Sequence, residues 1–241
     1  MACKNGHVEI CEILLKDRRS RPDADQNFAI RSSSENGHAE CVQMLLDDKR
    51  ANPASLDNYS IKWSCFYGHF KVVEKLLLDP RVDPSAERNF AIQMACHEGH
   101  YEVVRLLLAH PKVDPSQNGN EALKRSCLND NVEITRLLLN SKKVDPSIGI
   151  SSCLLLSLLK GHTSIVSTLL SDERVQIQML WNVGTWPFGI YFVIYNFLQF
   201  LSYCQGGRPL DYHILLLLSC IPLLTSLICC YAVSFCENIV L

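Results

Sequence analysis

Residues 89–119 read NFAIQMACHEGHYEVVRLLLAHPKVDPSQNG. Ala91, Ile92, Ala95 and Cys96 recur at helical spacing and make one apolar face. Asn89 stands where a helix cap is expected, its side chain accepting from a free N–H of the first turn. Gly99 ends this helix, because glycine tolerates a left-handed conformation. A second helix is expected near residues 102–109, with Val103, Val104, Leu106, Leu107 and Leu108 as a wide apolar stripe. Val113-Asp114-Pro115-Ser116 closes the unit, since proline cannot continue a helix. The stretch is a helix, a tight turn, a helix and a loop.

The same unit runs in both directions along the chain. Gly-His pairs stand at Gly6-His7, Gly37-His38, Gly68-His69, Gly99-His100 and Gly161-His162, with Asp130-Asn131 in the one gap, all in a 31-residue register. Leu14, Leu45, Leu76, Leu107, Leu138 and Leu169 keep that register, and so do Pro22, Pro53, Pro84, Pro115 and Pro146. Asn27, Asn58, Asn89, Asn120 and the variant Ser151 are a fourth landmark. A fixed period of this length marks a repeat architecture. One helix pair cannot bury its own apolar face, whereas stacked neighbours make a continuous core. Each fully buried Leu or Val contributes roughly 1.5–3 kcal/mol, so an array of five units and a partial one can fold. Met1-Ala2-Cys3 aligns with Met94-Ala95-Cys96, so the first unit is expected to lack the start of its first helix.

Gly99, His100, Glu102, Val103, Val104, Leu107 and Leu108, preceded by the small pair Ala95-Cys96, resemble the ankyrin repeat. The resemblance covers residues 1–178 and implies an all-α helix-turn-helix solenoid that binds protein partners. Phe90-Ala91-Ile92-Gln93 replaces the family's Thr-Pro-Leu-His start, and the unit is 31 residues long against the usual ~33. The resemblance places partner binding on the concave face formed by loop tips and first helices. Two residues after each core Ile or Leu stand Ser32, Trp63, Met94 and Arg125, which vary within an otherwise constant scaffold. Trp and Arg are common interface anchors, and packing between repeats is the alternative use of Trp63.

Residues 179–241 differ in kind. Of 23 Lys+Arg and 25 Asp+Glu, only Arg208, Asp211 and Glu237 follow residue 181. Residues 214–236 carry no charge and are long enough, at 1.5 Å per residue, to cross ~30 Å of hydrocarbon as a helix. Residues 183–204 are also uncharged, and Trp181, Trp186, Tyr191 and Tyr203 cluster towards their ends as interfacial aromatics do. The sequence therefore predicts a transmembrane helical hairpin turning at residues 205–213, with a helix lying in the interface as the alternative for the first span. No export signal precedes the repeats, so the expectation is an integral membrane protein with its array in the cytosol.

The remaining residues point away from chemistry. Cys3, Cys65, Cys96 and Cys127 share one repeat position, and Cys11 and Cys41 replace core aliphatics, so they read as small core residues. Free thiols fit a reducing compartment. Five of the eight His occupy the Gly-His turn, where hydrogen bonding across the turn to the next unit is expected. Asn58-Tyr59-Ser60 matches a glycosylation acceptor, but Asn58 is also the expected helix cap. No phosphate loop, nucleophile elbow or metal-protease helix occurs. The chain is expected to be no enzyme and to use no cofactor, metal, nucleic acid or small-molecule substrate. Two other readings are a piece of an ankyrin-repeat channel, which would need further spans, and a palmitoyltransferase, which would need Asp-His-His-Cys where Asp211-Tyr212-His213 stands.

Overall fold

The computed structural model divides the chain into two units, Met1–Leu180 and Trp181–Leu241. It describes residues 1–175, all of them in the first. A short 3-10 turn, Cys3–Asn5, leads into α1 (Val8–Lys16), α2 (Ala24–Glu35), α3 (Ala39–Asp48) and α4 (Ser55–Phe66). There follow α5 (Phe70–Leu78), α6 (Ala86–Glu98), α7 (Tyr101–Ala109) and α8 (Gln117–Leu128). The series ends with α9 (Val132–Asn140), α10 (Ile150–Lys160) and α11 (Thr163–Leu170). Among the described residues there is no strand, and no helix is long and apolar enough to cross a membrane. The expected spans, residues 183–204 and 214–236, lie outside the described residues.

Each even-numbered helix packs on the next even-numbered helix along one layer, odd-numbered helices do the same along a second, and each even helix also packs on the odd one that follows it. The core lies between the layers. Ile30, Ile61, Ile92, Leu123 and Leu154 line it from the first layer, and Leu45, Leu76, Leu107, Leu138 and Leu169 from the second, all at most 1% exposed. The thiol expectation holds inside the array. Cys41, Cys65, Cys96, Cys127 and Cys153 are fully buried and free, and burial pushes the Cys65 and Cys96 thiols far up. The register hides one arrangement. Cys3 and Cys11 occupy different repeat positions, yet their sulfurs lie 3.1 Å apart, with the Cys41 sulfur 3.7 Å from that of Cys11.

The cap assigned to Asn89 is corrected. Glu87, Arg88 and Asn89 all have positive φ, and the same left-handed triplet precedes helix one at Asp25-Gln26-Asn27, Leu56-Asp57-Asn58 and Asn118-Gly119-Asn120. No side-chain cap bond forms at the start of any of these helices. Each Asn instead reaches forward to the loop that opens the next unit. Asn27, Asn58 and Asn89 accept from the backbone N–H of Asn52, Asp83 and Asp114 at 2.6, 2.7 and 2.9 Å. Asn120 donates to the carbonyls of Asp145 and Ile148. Asn58 is buried, so a glycan has no room there in the folded array.

The Gly-His turn does what its repetition implies, but towards the preceding unit. His38, His69 and His100 donate from Nε2 to the carbonyls of Lys4, Glu35 and Phe66 at 2.8–2.9 Å. Each ring lies on the glycine of the previous turn. A Cβ on Gly68, whose φ is +74°, would stand 2.5 Å from Nδ1 of His100. Where Asp130 replaces glycine, the pattern breaks. Lys160 takes the Leu128 carbonyl, and Nε2 of His162 is buried without a hydrogen-bond partner among the described residues.

A third bond between units was not foreseen. Arg50, Arg81 and Arg174 are each held by the aspartate two residues before, Asp48, Asp79 and Asp172. Each then donates to one carbonyl in the last turn of the preceding unit's second helix, Leu15, Leu46 or Leu139, and to one in the loop after it, Ser20, Ala51 or Val144. The helix-end carbonyls have no partner inside their own helix, and a cation there also faces the negative end of the helix dipole. Lys143 replaces the arginine once, reaching Leu108, His110 and Val113.

Candidate functional site

The first-layer helices turn their small residues inward and leave a second face outward. On α4 that face is aromatic. Tyr59 and Trp63 lie 5.6 Å apart by ring centroids, Trp63 and Phe66 5.4 Å, Trp63 and Tyr67 6.1 Å, and Phe66 and Tyr67 4.9 Å in an edge-on arrangement. Tyr59, Trp63 and Tyr67 follow at i, i+4 and i+8, which aligns them along one stripe of the helix. Trp63 is half-buried and Tyr67 exposed.

Polar groups fix this cluster at its edges. The Arg31 guanidinium lies 5.1 Å over the Tyr59 ring, a cation–π geometry. The Tyr59 hydroxyl donates to Glu35 at 3.0 Å. Burial first, and the Glu35 carboxylate second, push the phenol above its ordinary range. Lys62, almost buried on the same helix, pairs with Glu87 of the next unit. The rings are thus held in place while part of their surface stays open.

The stripe continues along the array. Met94 on α6 is half-buried, and Arg125 on α8 is half-buried, paired with Glu121 at 2.9 Å and lying 4.0 Å from the Met94 sulfur through Nη1. On α10 the surface is aliphatic, with Leu155 51% and Leu159 75% exposed. Three of the four residues picked from the sequence, Trp63, Met94 and Arg125, therefore lie on neighbouring helices of one face. Ser32 lies deeper. It is buried, and its hydroxyl donates to the Ala29 carbonyl of its own helix. A short side chain on a tightly packed helix sinks below the surface that Trp, Met and Arg reach. Arg31, Tyr59 and Tyr67 lie beside Trp63 but outside its repeat column; the i+4 spacing of Tyr59, Trp63 and Tyr67 is the sequence signal for them.

Comparison with protein families gives a match to ankyrin repeats (3 copies) over residues 1–57 and 61–150. The chain belongs to the ankyrin repeat family. Comparison with curated proteins returns no match. Ankyrin repeats imply a role in protein–protein interaction. Among the described residues no group of His, Cys, Asp or Glu is placed to hold a metal ion.

Proposed function

We propose that this ankyrin protein is a membrane-tethered scaffold that holds a protein partner on the outward face of α4, α6 and α8. One observation carries the reading: Tyr59, Trp63 and Tyr67 present a partly open aromatic stripe, edged by Arg31 and Glu35. Large rings with few rotatable bonds are the side chains most often found at interface hot spots. A monomeric surface rarely leaves a contiguous apolar patch of this kind without use. Met94 and Arg125 extend the stripe, and the Arg125–Glu121 pair leaves donors free for a partner's carbonyls or carboxylates.

The tether is carried by sequence: residues 214–236 are uncharged and long enough to span, and residues 183–204 supply the second arm. In this reading the array faces the cytosol. Affinity capture with the full chain tests the interface. Trp63→Ala with Arg125→Ala should lose the partner recovered by the wild type while keeping the helical circular-dichroism signal. An unchanged partner set rejects the surface. Alkaline carbonate extraction tests the tether independently; release of the protein into the supernatant rejects it.

A further inference from the structure

We propose that Cys3 and Cys11 form a redox-modification site that closes to a disulfide when the protein meets a hydroperoxide. Cys3 opens the 3-10 turn and Cys11 lies on α1. Their sulfurs are 3.1 Å apart, about 1 Å longer than the ~2.05 Å of a disulfide bond. Cys3 is half-buried, and Cys11 is 1% exposed. Both line one cleft, together with Lys4, Leu14, Arg21 and Ser32. The pair therefore joins a thiol that solvent reaches to one that it does not, with no side chain between their sulfurs.

The two sulfurs have distinct parts. Burial first, and Cys3 second, push the Cys11 thiol far up, so Cys11 stays protonated until it reacts. The Cys3 thiol gives its proton to water, and the thiolate so formed attacks one oxygen of the hydroperoxide. The O–O bond breaks, the alkoxide leaves and takes a proton from water, and Cys3 becomes a sulfenic acid. The Cys11 sulfur then attacks the Cys3 sulfur and the S–O bond breaks. The departing hydroxide takes the Cys11 proton and leaves as water. Overall, two thiols and one hydroperoxide give one disulfide, one alcohol and one water; the thiols lose the two electrons that the peroxide gains. Cys41 is the competing partner of Cys11, but it is fully buried and its sulfur lies farther away, at 3.7 Å.

The bridge would tie the 3-10 turn to α1 and fix the first unit of the array. Closing a loop of this size slows local opening by roughly tenfold or more. The test uses the full chain, purified reduced, treated with a few equivalents of hydrogen peroxide, alkylated with iodoacetamide and cut with trypsin. Cleavage after Lys4 and Lys16 separates the two cysteines into peptides 1–4 and 5–16. The expected product is these two peptides joined by a disulfide, with amide exchange across Val8–Lys16 slowed about tenfold. Cys11→Ser should remove the product and leave Cys3 as a dimedone-reactive sulfenic acid, whereas Cys41→Ser should leave it intact. Alkylated Cys3 and Cys11 after treatment, a Cys11–Cys41 bridge, or a bridge between two chains overturns the proposal.

Discussion

Gly68→Ala should be among the most damaging single-methyl additions in the array, for two separable reasons. The first is backbone. Gly68 has φ +74°, and a left-handed conformation costs a residue with a Cβ about 1–2 kcal/mol. The second is the neighbour. The new Cβ would stand 2.5 Å from Nδ1 and 2.6 Å from Cε1 of His100, so the ring must move and its bond to the Phe66 carbonyl at 2.8 Å is lost. A net hydrogen bond contributes about 0.5–1.5 kcal/mol, giving a combined loss of about 1.5–3.5 kcal/mol. The fifth turn of the array is the natural counterpart, since Asp130 already holds φ 56° there and leaves Nε2 of His162 without a hydrogen-bond partner among the described residues. Asp130→Gly should therefore raise stability, by about 1 kcal/mol, as His162 regains the Leu128 carbonyl. Urea unfolding followed by circular dichroism at 222 nm measures both. The reasoning is refuted if Gly68→Ala costs less than about 0.5 kcal/mol, or if Asp130→Gly destabilises.

Three more outcomes follow from the bonds between units. Arg88→Gly should stabilise the array by about 0.5–1 kcal/mol, because Arg88 holds φ 57° and Gly119 already fills the matching place; the thermal midpoint reads it. Asn89→Ala should cost about 1–3 kcal/mol by orphaning the Asp114 N–H, and hydrogen exchange should show Asp114 deprotected. Acid should loosen the array through the arginine brackets. Hydrogen bonds from Arg50, Arg81 and Arg174 hold the Asp48, Asp79 and Asp172 carboxyls below their ordinary value of 3.8. A depressed carboxyl adds stability that is full above that value and lost as pH falls through the folded one. The melting temperature should therefore decline below about pH 4, and less steeply in Asp79→Asn; an identical acid limb in the variant counts against the bracket.

The sequence made the architecture legible because each landmark has a local cause. Gly99 needs a left-handed turn, Leu107 needs a core, and Pro115 stops a helix. A 31-residue period multiplies each signal. The helix cap failed at Asn89 because Asn serves two purposes: it caps helices and it tolerates left-handed backbone. Its partner, the Asp114 N–H, lies 25 residues on, beyond any local rule. The Asp79–Arg81 bracket was hidden for the same reason, since an adjacent acid–base pair reads as an exposed ion pair until the carbonyls of the preceding helix are in view. At the candidate site, residue type picked out Trp63, Met94 and Arg125. Depth decided against Ser32, and depth depends on neighbours from other units.

The central claim, that a partner docks on the first-helix layer, is tested most directly by photo-crosslinking inside cells. A benzophenone amino acid placed at Trp63 samples the aromatic stripe, and one placed at Leu78, 80% exposed on α5 of the other layer, samples the opposite side. The account predicts a discrete crosslinked protein from position 63 and none from position 78. A partner captured from position 78 alone would contradict it.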